Sequence, residues 1–308
     1  MNIAIETKKI TKRYRDVLAV SDLSLRVNSG EIYAFLGLNG AGKTTTIRMF
    51  LGMIKPTSGK AQVLGTKINV HGKKPWSSVG YLVETPNAYP ELTVRENLEA
   101  IWKLRPGTEP KAVSNIIEQL GLATYADRRA GTLSHGNAQR LGLAKALMHK
   151  PKLLILDEPA NGLDPAGIVE IRNLLTNLAK EQGVTIFLSS HILGEVSRLA
   201  HRIGIIHNGE LIQELSKEEL HQNRNRQLLI QARDRKATQL FLKKEGFSTG
   251  INSNDILVIK DKTAIENPDE IAIRLVNAGY APTMLKVEEE DLEDYFMRLV
   301  GNPERNSR

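Results

Sequence analysis

The sequence predicts an α/β fold built on a parallel sheet, with a smaller α+β domain behind it. Three observations carry that prediction. The apolar run Ile32 to Leu36 enters a glycine loop, Gly37 to Thr44, and leaves it as a helical pattern. A second continuous apolar run, Leu153 to Leu156, and the buried-strand pattern Val184 to Leu188 read as strands buried on both faces of a parallel sheet. After Asn208-Gly209-Glu210 the chain changes character and alternates short strand and helix patterns. Its 308 residues suffice for about two domains, each with an ample core.

Composition narrows the setting. There is no cysteine, which excludes disulfides, thiol catalysis and thiolate metal sites. No apolar run approaches the ~20 residues that span a bilayer. The N-terminus, MNIAIETKKITKRYR, lacks the apolar stretch of a signal peptide. These features point to the cytosol or nucleus. A net charge of +7 suits contact with anionic headgroups, nucleotide or nucleic acid, but is mild for this length and better read as an ordinary solvated surface. Low-complexity segments, 20- to 50-residue repeats and heptad arrays are absent from the sequence.

The first element is chemically the most specific. A strand, then Gly-x-x-x-x-Gly-Lys-Thr, then a helix with Ile47, Phe50, Leu51 and Ile54 on one face is a P-loop in its proper context. The loop residues Gly37, Asn39, Gly40, Ala41 and Gly42 offer backbone N–H groups to a polyphosphate. The helix start at Lys43, Thr44 and Thr45 adds its positive dipole end. Lys43 reaches β and γ phosphates, and the Thr44 hydroxyl suits Mg²⁺. A purely structural glycine turn is the competing reading, and the flanking strand and helix weigh against it.

The next strand, Leu153 to Leu156, ends in two carboxylates. Asp157 is placed to hold Mg²⁺, directly or through water. Glu158 points onward, where it can take a proton from an attacking water. The third strand runs into Ser189-Ser190-His191. A histidine at a strand tip can hydrogen-bond a γ-phosphate, although a lone histidine is more often structural.

Between these elements lies LSHGNAQRL, Leu133 to Leu141, leading into a helix through Met148. This run resembles the signature motif of ABC-transporter ATPases, whose usual form is LSGGQ. Ser134 and Gly136 match it; His135 and Asn137 depart from the common Gly and Gln. A serine hydroxyl, a glycine N–H and a helix N-terminus make a second anion cradle. The resemblance implies that this cradle grips the γ-phosphate of ATP held on another subunit's P-loop. It extends nearly continuously over residues 1 to about 215. Tyr14 resembles the aromatic that stacks on adenine, and Asn161-Gly162-Leu163-Asp164 the D-loop at the dimer interface. Leu38 stands where the family more often has Pro. Glu84 stands where most members have the Q-loop glutamine. Its carboxylate only accepts hydrogen bonds, and it adds negative charge near Mg²⁺. With Pro86, Tyr89, Leu92-Thr93 and Glu96-Asn97-Leu98 around it, Glu84 resembles the bacitracin-resistance and lantibiotic-immunity exporter branch.

The resemblance implies an organisation. Residues 1–215 form the ATP-binding domain: a RecA-like core with a mainly parallel sheet, an antiparallel edge from the N-terminal strands, and a helical subdomain at about 85–150. Two chains sandwich two ATP molecules as a homodimer, and a separate membrane permease supplies the path. The chain is then expected in the cytoplasm, peripheral at the inner face of the cell membrane. Residues 216–308 read as an accessory α+β domain: strand Arg226 to Ala232, helix Lys236 to Glu245, strand Ile256 to Ile259, helix Pro268 to Ala278, strand Met284 to Val287. A last helix opens on the acidic run Glu288 to Asp294 at its positive end. A different class of function, a soluble ABC ATPase acting on nucleic acid or ribosomes, fits the basic charge. The single cassette, the lack of zinc cysteines and the lack of long coiled coils argue against it, so no nucleic-acid partner is expected.

Overall fold

The computed structural model describes residues 2–68, 75–84, 88–105 and 109–301. Pro86 of the exporter-like context lies outside the described residues. By its internal contacts the chain divides into two compact units, Met1–Glu219 and Leu220–Arg308.

The first unit holds a six-stranded sheet. Its order is Glu210–Ser216, Arg202–His207, Ile32–Leu36, Thr185–Ser190, Leu153–Leu156 and Val79–Leu82. All neighbours are parallel except the first pair, which is antiparallel. The three central strands are buried throughout: Ile32–Leu36 and Leu153–Leu156 are wholly apolar, and Thr185–Ser190 buries its hydroxyls along with Ile186, Phe187 and Leu188. Leu36 pairs with Ser190, and Leu156 with Leu188. Gly37, Asp157 and His191 therefore leave neighbouring strands at one edge of the sheet, where α/β sheets bind ligands. Phe187 anchors the core: its ring centroid lies 5.6 Å from Tyr33, 5.6 Å from Phe35 and 5.2 Å from Phe50. Phe50 belongs to the helix Lys43–Phe50, so the same cluster seats the glycine loop on the sheet. That helix stops sooner than its Ile47-to-Ile54 pattern suggests, because Gly52 turns left-handed at φ 60°.

The N-terminal strands form a separate antiparallel sheet rather than an edge of the parallel one. Ile3–Tyr14 is its hub and pairs with Val17–Leu23, Arg26–Asn28 and Ser58–Val63. Register shifts between Ile10 and Arg13 let one long strand serve several partners. The helices Val94–Lys103, Ala112–Gln119 and His135–Leu147 pack on one another. Thr93 and Glu96 close a capping box at the first of them. The third lies directly on the strand Val79–Leu82: a Cβ on Gly80 would come within 2.1 Å of the Ala146 carbonyl oxygen. Among the described residues, no helix is long and apolar enough to cross a membrane.

The second unit is a four-stranded antiparallel sheet in the order Thr249–Ile251, Leu257–Ile259, Arg226–Ala232, Pro282–Glu289. Leu228, Ile230, Leu257, Ile259, Leu242 and Leu275 make its core with the helices Arg235–Lys244 and Pro268–Asn277. Two short elements exceed the sequence expectation, the strand Thr249–Ile251 and the helix Lys262–Glu266. Neither is long enough to show a period. The acidic run also splits. Glu288 and Glu289 end a strand, while Asp291 caps the helix Leu292–Val300 by accepting from Asp294 N at 2.7 Å.

Candidate functional site

Two glycines make the loop possible. Gly42 stands at φ +105°, and a Cβ there would meet the Ala19 carbonyl oxygen at 2.5 Å. At Gly37 a Cβ would meet the Ile206 carbonyl oxygen at 2.6 Å. Gly42 is also the N-cap of Lys43–Phe50 and offers no side chain to the first turn, so those amides face outward for an anion. Asn39 and Gly40 are exposed, Ala41 is buried, and Thr44 and Thr45 are half-buried.

The chemically active side chains converge beside this loop. The buried Lys43 Nζ donates to the carbonyls of Gly37 at 2.7 Å and Leu38 at 3.2 Å. It also lies 3.1 Å from Glu158 Oε1, an ion pair without hydrogen-bond alignment, which leaves Oε1 buried and unbonded. The other Glu158 oxygen, Oε2, is 2.8 Å from His191 Nδ1. Thr44 Oγ1 donates to Asp157 Oδ2 at 2.7 Å, and Ser189 Oγ donates to Asp157 Oδ1 at 2.5 Å. Ser189 Oγ in turn accepts from Glu158 N at 3.0 Å. Lys43, Thr44, Asp157, Glu158 and His191 thus form one connected cluster. Ser189 belongs to it too, although the sequence singled out only the histidine after it. Its place in a strand one residue from the tip was the available signal.

A second cluster sits at the start of His135–Leu147. Ser134 is its N-cap and accepts from Asn137 N at 3.4 Å. A Cβ on Gly136 would lie 3.3 Å from Leu163 Cδ2, and one on Gly162 would lie 1.9 Å from His135 Cδ2. The histidine that replaces a signature glycine is therefore packed on the 161–164 turn. Asp164 caps the helix Pro165–Gln182 through Gly167 N at 2.9 Å. Among the described residues, no hydrogen bond or ion pair joins Ser134 or Gly136 to residues 37–45. Tyr14 ends its strand 42% exposed, with Lys12 Nζ 4.8 Å above its ring.

Glu84 stands apart from both clusters. It adopts φ 59°, and its carboxylate meets the Arg48 guanidinium of the loop's own helix. No hydrogen bond or ion pair joins it to Thr44 or Asp157 among the described residues. Nearby, a groove of about 920 Å³ is lined by Trp76, Tyr81, Tyr89, Leu104, Lys145 near the end of the signature helix and His149 just beyond it. His149 Nε2 lies 3.1 Å from the Val79 carbonyl. Burial, then the Arg105 charge, lowers its pKa to about 4, so the ring is neutral near neutral pH.

The fold and the site define a P-loop nucleotide-binding domain whose candidate catalytic groups gather at the C-terminal ends of parallel strands. The family model of the ABC transporter matches residues 20–161. A bacitracin transport ATP-binding protein of Bacillus licheniformis is 39% identical over 301 residues, 98% of each chain. A protein of the same name from Enterococcus faecalis is 40% identical over 303 residues, covering 98% of this chain and 97% of that one. Among solved structures, a dimeric ATP-binding cassette bound to ADP and Pi in a post-hydrolysis state superposes with a TM-score of 0.64 at 26% identity. It covers 69% of this chain and 98% of that one. The chain belongs to the ATP-binding subunits of ABC transporters, and as such it is an ATPase.

Proposed function

We propose that this chain hydrolyses ATP as a homodimer to drive export of bacitracin or a similar antimicrobial peptide through a separate permease. The observation that carries the reading is the joined cluster Lys43–Glu158–His191 and Thr44–Asp157, with the signature cradle standing apart on the same chain. One chain then holds two half sites. Each ATP lies between Gly37–Thr45 of one protomer and Ser134–Gly136 of its partner, with Tyr14 against adenine and Asp164 at the interface. Lys43 moves from the Gly37 and Leu38 carbonyls to the phosphates. Glu158 takes the proton of the attacking water, and His191 holds the carboxylate and faces the γ-phosphate.

Thr44 Oγ1 and the Asp157 carboxylate offer hard oxygen donors of the kind Mg²⁺ takes. Among the described residues no group of three acidic or histidine side chains could hold a metal alone. That fits an ion bound through one or two protein oxygens and the substrate's phosphates. When bound, Mg²⁺ neutralises charge on the transferring phosphoryl group. Glu84 adds its negative charge at Arg48 of the loop's own helix rather than at the Thr44–Asp157 pair.

In this reading residues 1–215 are the ATP-binding domain, with a helical subdomain at about 85–150, and residues 216–308 are an accessory domain. The aromatic groove beside Glu84 receives the permease and holds the chain at the inner membrane face. Two tests follow. Tagged chain drawn from detergent-solubilised membranes is expected to bring a polytopic partner, and Tyr89→Asp to weaken that capture. Retention on ribosomes or DNA without a membrane partner would instead favour the nucleic-acid class. Glu84→Gln is expected to keep ATPase activity yet lower bacitracin resistance in cells, and Arg48→Ala to do the same. The pair is exposed, so its direct effect on stability is about 0.2–1 kcal/mol. Unchanged resistance in both variants denies Glu84 any special part in coupling.

A further inference from the structure

Gln139 is a polar side chain buried to 3% exposure in the middle of the signature helix. Leu143, one turn on, is fully buried, and Gly136, one turn back, faces the 161–164 turn. A glutamine on that stripe must find partners. Its Nε2 donates to the Glu158 carbonyl at 3.3 Å and to the Pro159 carbonyl at 3.2 Å. A primary amide has two N–H groups, so both carbonyls are served at once.

The residue it holds is itself in an uncommon conformation. Glu158 stands at φ 49°, left-handed, which a side chain with a Cβ disfavours. Such a conformation persists only where its surroundings over-determine it. Three backbone contacts do so: Ser189 Oγ on the Glu158 amide, Asn161 N on its carbonyl at 3.0 Å, and Gln139 on the same carbonyl. Lys43 and His191 hold the carboxylate. Of these groups, Gln139 alone comes from the signature helix. That helix is also fixed to the segment after Glu158 by His135 over Gly162 and by Arg140 Nη2 on Glu170 at 2.7 Å. A shift at Ser134 therefore reaches Glu158 through packed groups.

We propose that Gln139 is a positioning residue that sets the orientation of Glu158 according to the seat of the signature helix. Ser134 and Gly136 grip the ATP held by the partner, while Glu158 acts on the ATP held by its own chain. Gln139 thus ties the two nucleotide sites together: engagement at one aligns the base at the other. The inference rests on the reading of Glu158 as the residue that activates water.

The test uses the full chain with ATP and Mg²⁺, comparing Gln139→Met, Gln139→Glu and wild type. Methionine keeps the shape and removes both donors. Its kcat is expected to fall roughly 10- to 100-fold, the cost of a small misplacement of a catalytic group. ATP affinity, thermal midpoint and ATP-driven dimerisation in a Glu158→Gln background stay close to those of the matched control, and cooperativity in ATP is lost. Glutamate places a carboxylate against two carbonyls, so Gln139→Glu is slow at about pH 8. It recovers relative to wild type toward about pH 6, as the buried acid takes a proton and regains one donor. Wild-type kcat in Gln139→Met overturns the proposal. So does a loss of affinity and midpoint in step with kcat, or a wild-type pH profile in Gln139→Glu. The underlying reading fails separately: if Glu158→Gln itself turns over normally, the base lies elsewhere, whatever Gln139 does.

Discussion

Glu158→Gln is expected to bind ATP, to lose turnover by about 10²- to 10⁴-fold, and to accumulate as an ATP-bound dimer. The substitution changes little except the proton acceptor. Glutamine has the same length, and the backbone contacts that hold φ at 49° come from Ser189, Asn161 and Gln139, none of which touches the carboxylate. His191, 2.8 Å from Oε2, finds an amide partner in its place. The charge change acts in one direction. Lys43 Nζ lies 3.1 Å from Glu158 Oε1, so the carboxylate competes with phosphate for the ammonium. Removing that competitor holds or raises ATP affinity while hydrolysis stops. With the γ-phosphate uncleaved, the bridge between loop and signature cradle persists. Gel filtration with ATP should then move the 34.2 kDa chain to the dimer position, and wild type should drift back as it hydrolyses. Turnover close to wild type in this variant would remove the base role from Glu158.

The legible parts of this molecule were those encoded by neighbours in the chain. Ile32–Leu36 and Leu153–Leu156 are unbroken apolar runs, and Thr185–Ser190 carries Ile186-Phe187-Leu188 at its centre, because both faces of a parallel sheet are covered. The groups that end them, Gly37, Asp157 with Glu158, and His191, follow at once in sequence and so were found by position. What escaped were side-chain pairs made across the fold. Arg48 meets Glu84 from 36 residues away, and Gln139 reaches Glu158 across 19. No local pattern specifies either partner; each needs the sheet and helices placed first. The N-terminal strands escaped differently. Their alternation announces strands, but nothing in it decides whether Ile3–Tyr14 joins the parallel sheet or builds its own; its antiparallel pairing with Val17–Leu23, Arg26–Asn28 and Ser58–Val63 settles the matter. Short elements such as Thr249–Ile251 are set by pairing with Leu257–Ile259 rather than by their own sequence.

The proposed half-site architecture leads to a result that a self-contained site cannot give. Lys43→Met removes the ammonium that contacts Gly37 O and Leu38 O and is poised for phosphate, so that chain no longer holds ATP on its own loop. Gly136→Asp puts a Cβ 3.3 Å from Leu163 and a carboxylate at the signature amides, so that chain no longer grips its partner's ATP. Placed separately in the Glu158→Gln background, each variant should remain monomeric with ATP, because every composite site in its homodimer carries the lesion. Mixed, they complement. The loop of the Gly136→Asp chain is intact and meets the intact Ser134–Gly136 cradle of the Lys43→Met chain, while the other site carries both lesions. The mixture should therefore form heterodimers with about one ATP per pair of chains, against about two for Glu158→Gln alone. Gel filtration with radiolabelled ATP reads both mass and stoichiometry. If the mixture stays monomeric, or if the Gly136→Asp chain dimerises on ATP by itself, the nucleotide site is complete within one chain. The signature helix would then face its own P-loop rather than a partner's.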